Sequence, residues 1–271
     1  MASAGEPADS SDRAATSRGT PSAQADRAAS PPRKGRRSSA APRDRPLLVA
    51  LSGGRDSTAL LDLACRLRDQ RAPGFGDVRA VHVHHGLQAA ADAWAGHCEQ
   101  LCQAFDVPLT IERVAVERGH SRGLEAAARE ARYHALARAA QACEARVVLT
   151  AHHLDDRVET FLLQWLRGAG PAGLAGVAAE RTLEGTRVRL VRPLLAVPRA
   201  EIDRYVERRR LAYVDDPSNA DTHLARNALR LRVVPELEQL RAGFRKSAAR
   251  SIDLVGEAAE AIQELARGDL A

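Results

Sequence analysis

The sequence predicts an α/β fold: a parallel sheet of about five strands flanked by helices, followed by a helical C-terminal extension. Three observations predict it. From Pro46 onward, short apolar runs alternate with helical stretches, the pattern of a parallel sheet covered on both faces. The first apolar run leads straight into Ser52-Gly53-Gly54 and then a helical stretch, a strand–turn–helix. After Pro198 the strand-like runs stop and helical patterns take over.

Residues 47–51 form the first strand and 57–68 the helix after the turn. Residues 78–83 read as a second strand, ending at His82, His84 and His85; 90–105 read as helix and 109–114 as a third strand. A long helix rich in Ala, Glu and Arg spans 123–142, and a fourth strand, 147–151, again ends in histidines. Residues 155–166 are helical and 187–191 a fifth strand. Beyond Pro198, residues 198–210, 221–239 and 244–266 read as helices, the first two joined by the turn 215–219. Ligands of such sheets bind beyond the carboxyl ends of the strands, so the turns after the first, second and fourth strands are where a site is expected.

Composition bounds the rest. The 271 residues are 45% hydrophobic but only 3% aromatic, so the core must be Leu, Val and Ala. No stretch of about 18 apolar residues is present, which argues against a membrane helix, and the start has no apolar signal-peptide segment. The net charge is +5, yet residues 1–45 alone carry nine Arg/Lys against five Asp/Glu. That segment is expected to be a disordered basic tail, followed by a catalytic domain at 46–197 and a helical extension at 198–271. Its patch at 31–37 reads as a solvated tail before an RNA contact. Lysine occurs only at Lys34 and Lys246, so no catalytic lysine stands in the middle of the chain. Cys65, Cys98, Cys102 and Cys143 form no C-x-x-C pair and are expected as reduced thiols of a cytoplasmic protein. The spacing of Cys98 and Cys102 fits two small core residues better than a metal pair.

The segment LVALSGGRDSTALLDL carries the most chemistry. Two glycines let the backbone turn tightly and approach a ligand. Free amides at a helix start suit a polyphosphate, and Ser52 and Ser57 add hydroxyls. Asp56 would repel phosphate unless a Mg²⁺ bridges them. The missing lysine argues against a G-x-x-x-x-G-K-[ST] loop.

This string resembles the PP-loop signature, SGG-x-DS, of the ATP pyrophosphatase superfamily, whose members cleave ATP between its α and β phosphates and attach AMP to a substrate oxygen. The resemblance implies an adenine nucleotide alpha hydrolase-like fold with Ser52, Gly53, Gly54, Arg55, Asp56 and Ser57 binding ATP and Asp56 on Mg²⁺. Three further segments narrow it: HVHHGLQAAADAWAGHCEQLC; GLEAAAREARYHAL with TAHHLDDRVETFLLQWLRGAGPAGLAG; and RPLLAVPRAEIDRYVERRRLAYVDDPSNADTHLARNALRLRVVPEL. Together, in this order, they resemble the bacterial tRNA(Ile)-lysidine synthase family over residues 46–240. That family adenylates the C2 oxygen of the wobble cytidine in an isoleucine tRNA with a CAU anticodon, then replaces AMP by L-lysine.

The resemblance implies catalytic roles for Asp56, His153, Asp155, Asp156 and Glu159. Asp155 and Glu159 are four apart on one helix face, fit to hold Mg²⁺ or grip an ammonium group; the plain alternative is an acidic first turn facing the helix dipole. Glu125, Arg129 and Arg132 lie on one stripe, and Arg226, Asn227 and Arg230 on another; both are expected to meet substrate or tRNA, against the alternative of solvated faces. His82, His84 and His85 are not expected to hold zinc. Two positions depart from the family pattern: Arg157 stands where Gln is usual, expected to disturb the charge of Asp155 and Asp156, and His84 where Asn or Asp is usual. The chain also stops where the longer relatives continue into domains that hold tRNA. A tRNA-thiolating enzyme of the same superfamily, or an inactive ATP- or RNA-binding chain, are the competing readings. The oligomeric state is open, a homodimer being one option.

Overall fold

The structure, a computed structural model, describes residues 45–73, 75–86, 90–115 and 124–269. All lie in one compact unit, Ala40–Ala271. The expected tail falls outside the described residues, apart from Arg45.

A six-stranded sheet forms the centre: β1 (Leu47–Ala50), β2 (Val78–His84), β3 (Leu109–Arg113), β4 (Val147–Leu149), β5 (Glu180–Thr182) and β6 (Arg189–Val191). Its order is β3-β2-β1-β4-β6-β5, parallel throughout except for β5. Helices intervene: α1 (Arg55–Asp69), α2 (Ala91–Ala104), α3 (Leu124–Ala142), α4 (Leu154–Leu166) and the short α5 (Pro171–Leu174). After the sheet come α6 (Arg199–Arg209), α7 (Ala225–Ala228), a π-helical turn at Leu229–Val233, α8 (Val234–Leu240) and α9 (Phe244–Asp269). The expected helix at 221–239 is thus broken into pieces.

Strand β1 is covered on both faces, which explains its unbroken apolar run. Val49 packs with α1, α2 and α6 through Leu61, Cys98, Cys102 and Ile202. Its neighbour Leu48 points the other way, to Leu136 and Ala140 of α3. Cys65, Cys98 and Cys102 are buried thiols of the first of these clusters. Small Ala side chains on α3 let that helix lie close to the sheet.

Strand β5 was not expected. Its Glu-Arg-Thr sequence is exposed at all three positions and shows no apolar alternation. It exists because it pairs antiparallel with β6 at the sheet edge, a partnership set by tertiary structure.

The register aligns the strand ends. Leu47 sits opposite both Val78 and Val147, so the turns after β1, β2 and β4 open at one edge. Helix α6 is locked onto α1 there: the buried Asp62 accepts bonds from Tyr205 and from Arg209 (3.0 Å and 3.2 Å). Helix α9 packs through Ala248, Ile252 and Ala259. Among the described residues, no helix is long and apolar enough to cross a membrane.

Candidate functional site

At the β1–α1 turn, Gly53 adopts φ +83°, where a side chain would be strained, and a Cβ there would stand 3.1 Å from Cys98 Sγ. The Gly53 carbonyl accepts a bond from the Val214 amide (2.9 Å), fastening the turn to the segment after α6. Gly54 starts α1 without a side-chain cap. The amides of Arg55, Asp56 and Ser57 therefore form the uncapped first turn, with the positive end of the helix behind them. Ser57 Oγ donates to the Gly54 carbonyl (2.9 Å) and lies 3.0 Å from Ser52 Oγ, so the two hydroxyls brace the turn.

Two of the predicted residues here divide. Arg55 turns toward α6: Nη1 donates to Asp203 (2.6 Å) and the guanidinium lies 4.9 Å from the Tyr213 ring centre. Asp56 stays inside. Its Oδ2 is 3.6 Å from His153 Nε2, and its Oδ1 is buried with no hydrogen-bond partner. Burial alone would raise the Asp56 pKa, but the His153 ring and the charges of Arg199 and Arg55 hold it below the ordinary value.

The β4–α4 turn meets it. His153 is buried, caps α4 by accepting from the Asp156 amide (3.3 Å), and is itself bonded back by Asp156 (3.0 Å from the His153 amide to Oδ2). His153 Nε2 faces both Asp56 and Asp156 at 3.6 Å. Burial opposes its protonation, yet the Asp56 bond and the carboxylates of Asp156, Asp56 and Asp155 raise its pKa overall. Neighbouring His152 goes the other way: burial, with help from Arg132, Arg192 and Arg129, pushes it down to about 4 despite Asp156.

The paired use of Asp155 and Glu159 is not what the structure shows. Asp155 accepts from the Arg199 amide at the start of α6 (2.9 Å) and from Arg245 Nε of α9 (2.7 Å). Glu159 is held by a two-pronged bond from Arg230 (2.6 Å and 3.0 Å), with Arg226 Nε at 3.6 Å. Each carboxylate is committed to a different partner, so Asp156, one residue on, is the one that joins Asp56. Arg226 and Arg230, expected to meet substrate or tRNA, are held by the buried Glu159 and also line the cavity. Asn227 is buried and donates to the carbonyls of Ser218 and Asp221 (2.8 Å and 2.9 Å), clipping a loop. Arg157 does not disturb the acidic pair either; it bonds Asp253 on α9. His84 lies 3.1 Å from Asp92 of α2, and His82 bonds the Leu51 carbonyl (2.9 Å). Glu125 lies in the first turn of α3, its side chain outside the described residues.

A cavity of about 580 Å³ joins these parts. Its lining includes Ser52, Gly54, Asp56, Ser57, His152 and Asp156, together with Arg129, Arg132, Arg199, Arg226 and Arg230. An acidic pair below a ring of guanidinium groups suits a polyphosphate bridged by a cation. Mg²⁺ fits on one observation, the orphaned Asp56 Oδ1. Among the described residues, no three His, Cys, Asp or Glu side chains are grouped to hold a metal by themselves. The ion would therefore share its shell with phosphate oxygens, the usual way Mg²⁺ binds nucleotides. Sequence reasoning missed Tyr133, Arg192 and the 213–215 segment. Tyr133 sits beside Arg132 in the quoted segment, so only its packing could single it out.

A family model described as PP-loop domain matches residues 31–237. The tRNA(Ile)-lysidine synthase of Chromobacterium violaceum is 49% identical over 82% of this chain and 49% of its own length. Those of Escherichia coli and Burkholderia mallei are 48% and 45% identical over 84% and 86% of this chain, and 51% and 46% of theirs. The chain spans about half the length of these curated relatives. Among solved structures, a U34-tRNA thiolase from Methanococcus maripaludis superposes with a TM-score of 0.65 at 17% identity, over 79% of this chain and 72% of its own, which shows a shared fold.

Proposed function

Since the chain belongs to the PP-loop family, we propose that it is the catalytic part of a tRNA(Ile)-lysidine synthase, joining L-lysine to the wobble cytidine of a CAU-anticodon tRNA at the expense of ATP. The observation that carries this reading is the uncapped α1 turn opening onto the same cavity as Asp56, Asp156 and the arginines. The relatives named above support the choice of substrate.

The cytosine C2 oxygen attacks the α phosphate, the bond to the β phosphate breaks, and pyrophosphate leaves. The lysine amine then adds at C2, the C2–O bond breaks, and AMP departs with the oxygen while the amine gives up a proton. The amides of Arg55, Asp56 and Ser57 hold the polyphosphate. Asp56, with Asp156, would hold Mg²⁺, and the ion would supply Lewis-acid charge there. Arg132, Arg226 and Arg230 offset charge growing on the departing phosphates. His153 holds Asp56 and Asp156 in place. His152, kept neutral by its surroundings, lines the cavity as an uncharged hydrogen-bonding ring.

The thiolation reading fares worse on the cysteines. Cys98 and Cys102 are core residues whose thiols burial pushes up to about 12, so neither is a ready nucleophile. The test is incubation of the chain with ATP, L-lysine and unmodified CAU-anticodon tRNA, followed by mass analysis of the wobble nucleoside. Lysine addition is expected; sulfur incorporation or an unchanged cytidine would defeat the reading.

A further inference from the structure

Positive charge continues past the cavity wall. The Tyr133 ring, which lines the cavity, has three guanidinium groups over it: Arg181 at 4.1 Å, Arg129 at 5.2 Å and Arg132 at 5.5 Å from its centre. Arg181 comes from β5, whose three residues are all exposed. Arg192, just after β6, is buried behind them; one guanidinium nitrogen reaches the Ala178 carbonyl (2.5 Å), while its Nε has no partner. The Tyr133 hydroxyl is also buried beside the Arg132 and Arg192 guanidinium groups, and among the described residues its proton finds no acceptor. Guanidinium groups this close repel one another, and stacking on a ring offsets only part of that. An anion beside the exposed members of this group would relieve the repulsion.

We infer that the exposed Arg181 and Arg129, stacked on Tyr133 and backed by the buried charge of Arg192, form an anion site at the rim of the cavity that takes a backbone phosphate of the nucleic-acid substrate. The inference rests on the function proposed above and adds a place for the substrate outside the nucleotide turn. Arg181 and Arg192 do not line the cavity, so the phosphates of ATP, seated at the α1 turn, are not their occupants. A polynucleotide that delivers one base into a pocket carries its phosphates away over the rim. Here the rim is an exposed sheet edge bearing an arginine.

The test compares the intact chain with Arg181→Ala and Arg181→Glu, both at an exposed position that the core does not need. Binding of an unmodified CAU-anticodon tRNA transcript is measured between about 50 and 200 mM salt, and ATP affinity is measured separately. For Arg181→Ala, tRNA affinity falls roughly 3- to 10-fold and the salt slope shrinks by about 1; Arg181→Glu loses more, and ATP affinity holds. Unchanged tRNA affinity and slope in Arg181→Ala overturns the site, and so does an equal loss of ATP affinity, which would assign the cluster to the nucleotide. A parent chain that binds tRNA in this pattern but forms no lysidine defeats the proposed function and leaves the phosphate site standing. A parent chain that binds no tRNA overturns both.

Discussion

Two helix starts meet at the cavity, and they are built in opposite ways. At α1 the turn is Gly-rich, uncapped, and leaves its first amides to whatever enters. At α4 the same kind of strand-to-helix turn is closed by its own side chains: His153 and Asp156 cap one another reciprocally, and Asp155 goes on to cap α6. A helix N-terminus at the ligand edge of a sheet is therefore not a binding site by position alone. The α1 start offers backbone donors because nothing consumes them. The α4 start has satisfied its amides and can offer only the outward oxygens of its carboxylates. Under the proposed function, phosphate would dock at the first turn, and the second contributes Asp156 beside Asp56.

The comparison is broken most forcefully through Glu159. Glu159→Ala leaves Arg230 and Arg226 without their buried counter-charge and is expected to cost about 3–5 kcal/mol, read as a large fall in melting temperature. A loss below about 1 kcal/mol would mean that the α4 pairings are surface ornaments. Asp56→Ala tests the open turn. AMP-forming turnover and ATP–pyrophosphate exchange should fall roughly 10²- to 10³-fold with the fold retained; normal exchange removes Asp56 from the mechanism.

The closed turn also predicts a pH dependence. Unfolded His152 takes up its proton near 6.5, whereas the folded ring does so only near 4. Between those values the unfolded chain binds more protons, so stability falls as pH drops through that window. His153, raised above its ordinary value, contributes stability that is present below 6.5 and lost as pH rises through its folded pKa. His152→Gln should accordingly narrow the drop in melting temperature between about pH 6.5 and 4.5; an undiminished drop would place the acid sensitivity elsewhere. The smallest effect is expected from Arg157→Gln. It breaks an ion pair whose Asp253 partner is largely exposed, costs under about 1 kcal/mol and leaves ATP affinity alone. A changed affinity would show that Arg157 does reach the acidic pair.

Much of the fold was legible because its signals are local. The apolar runs of β1, β2 and β4, the Gly turn and the helical stretches follow from residues a few positions apart. The π-helical break at Leu229–Val233 and strand β5 were not legible, since neither carries a periodic pattern of its own. The site divides along the same line. Asp56 and the α1 turn could be read directly. The pairing of Asp155 with Glu159 was a fair inference from helical spacing, but spacing says only which face two residues share. It does not say that Arg245 and Arg230, each more than 70 positions away, will claim them separately.

By itself, the sequence determined the strand–turn–helix that can receive phosphate, the family likeness, and the histidines and acids brought to one edge of the sheet. These depend on backbone geometry and on residues close along the chain. Only the tertiary structure decided which carboxylates remain available, which arginines turn inward, and which guanidinium groups gather over Tyr133. Those outcomes depend on which distant group reaches a buried charge, because an ion removed from water has to find its partner wherever the fold supplies one.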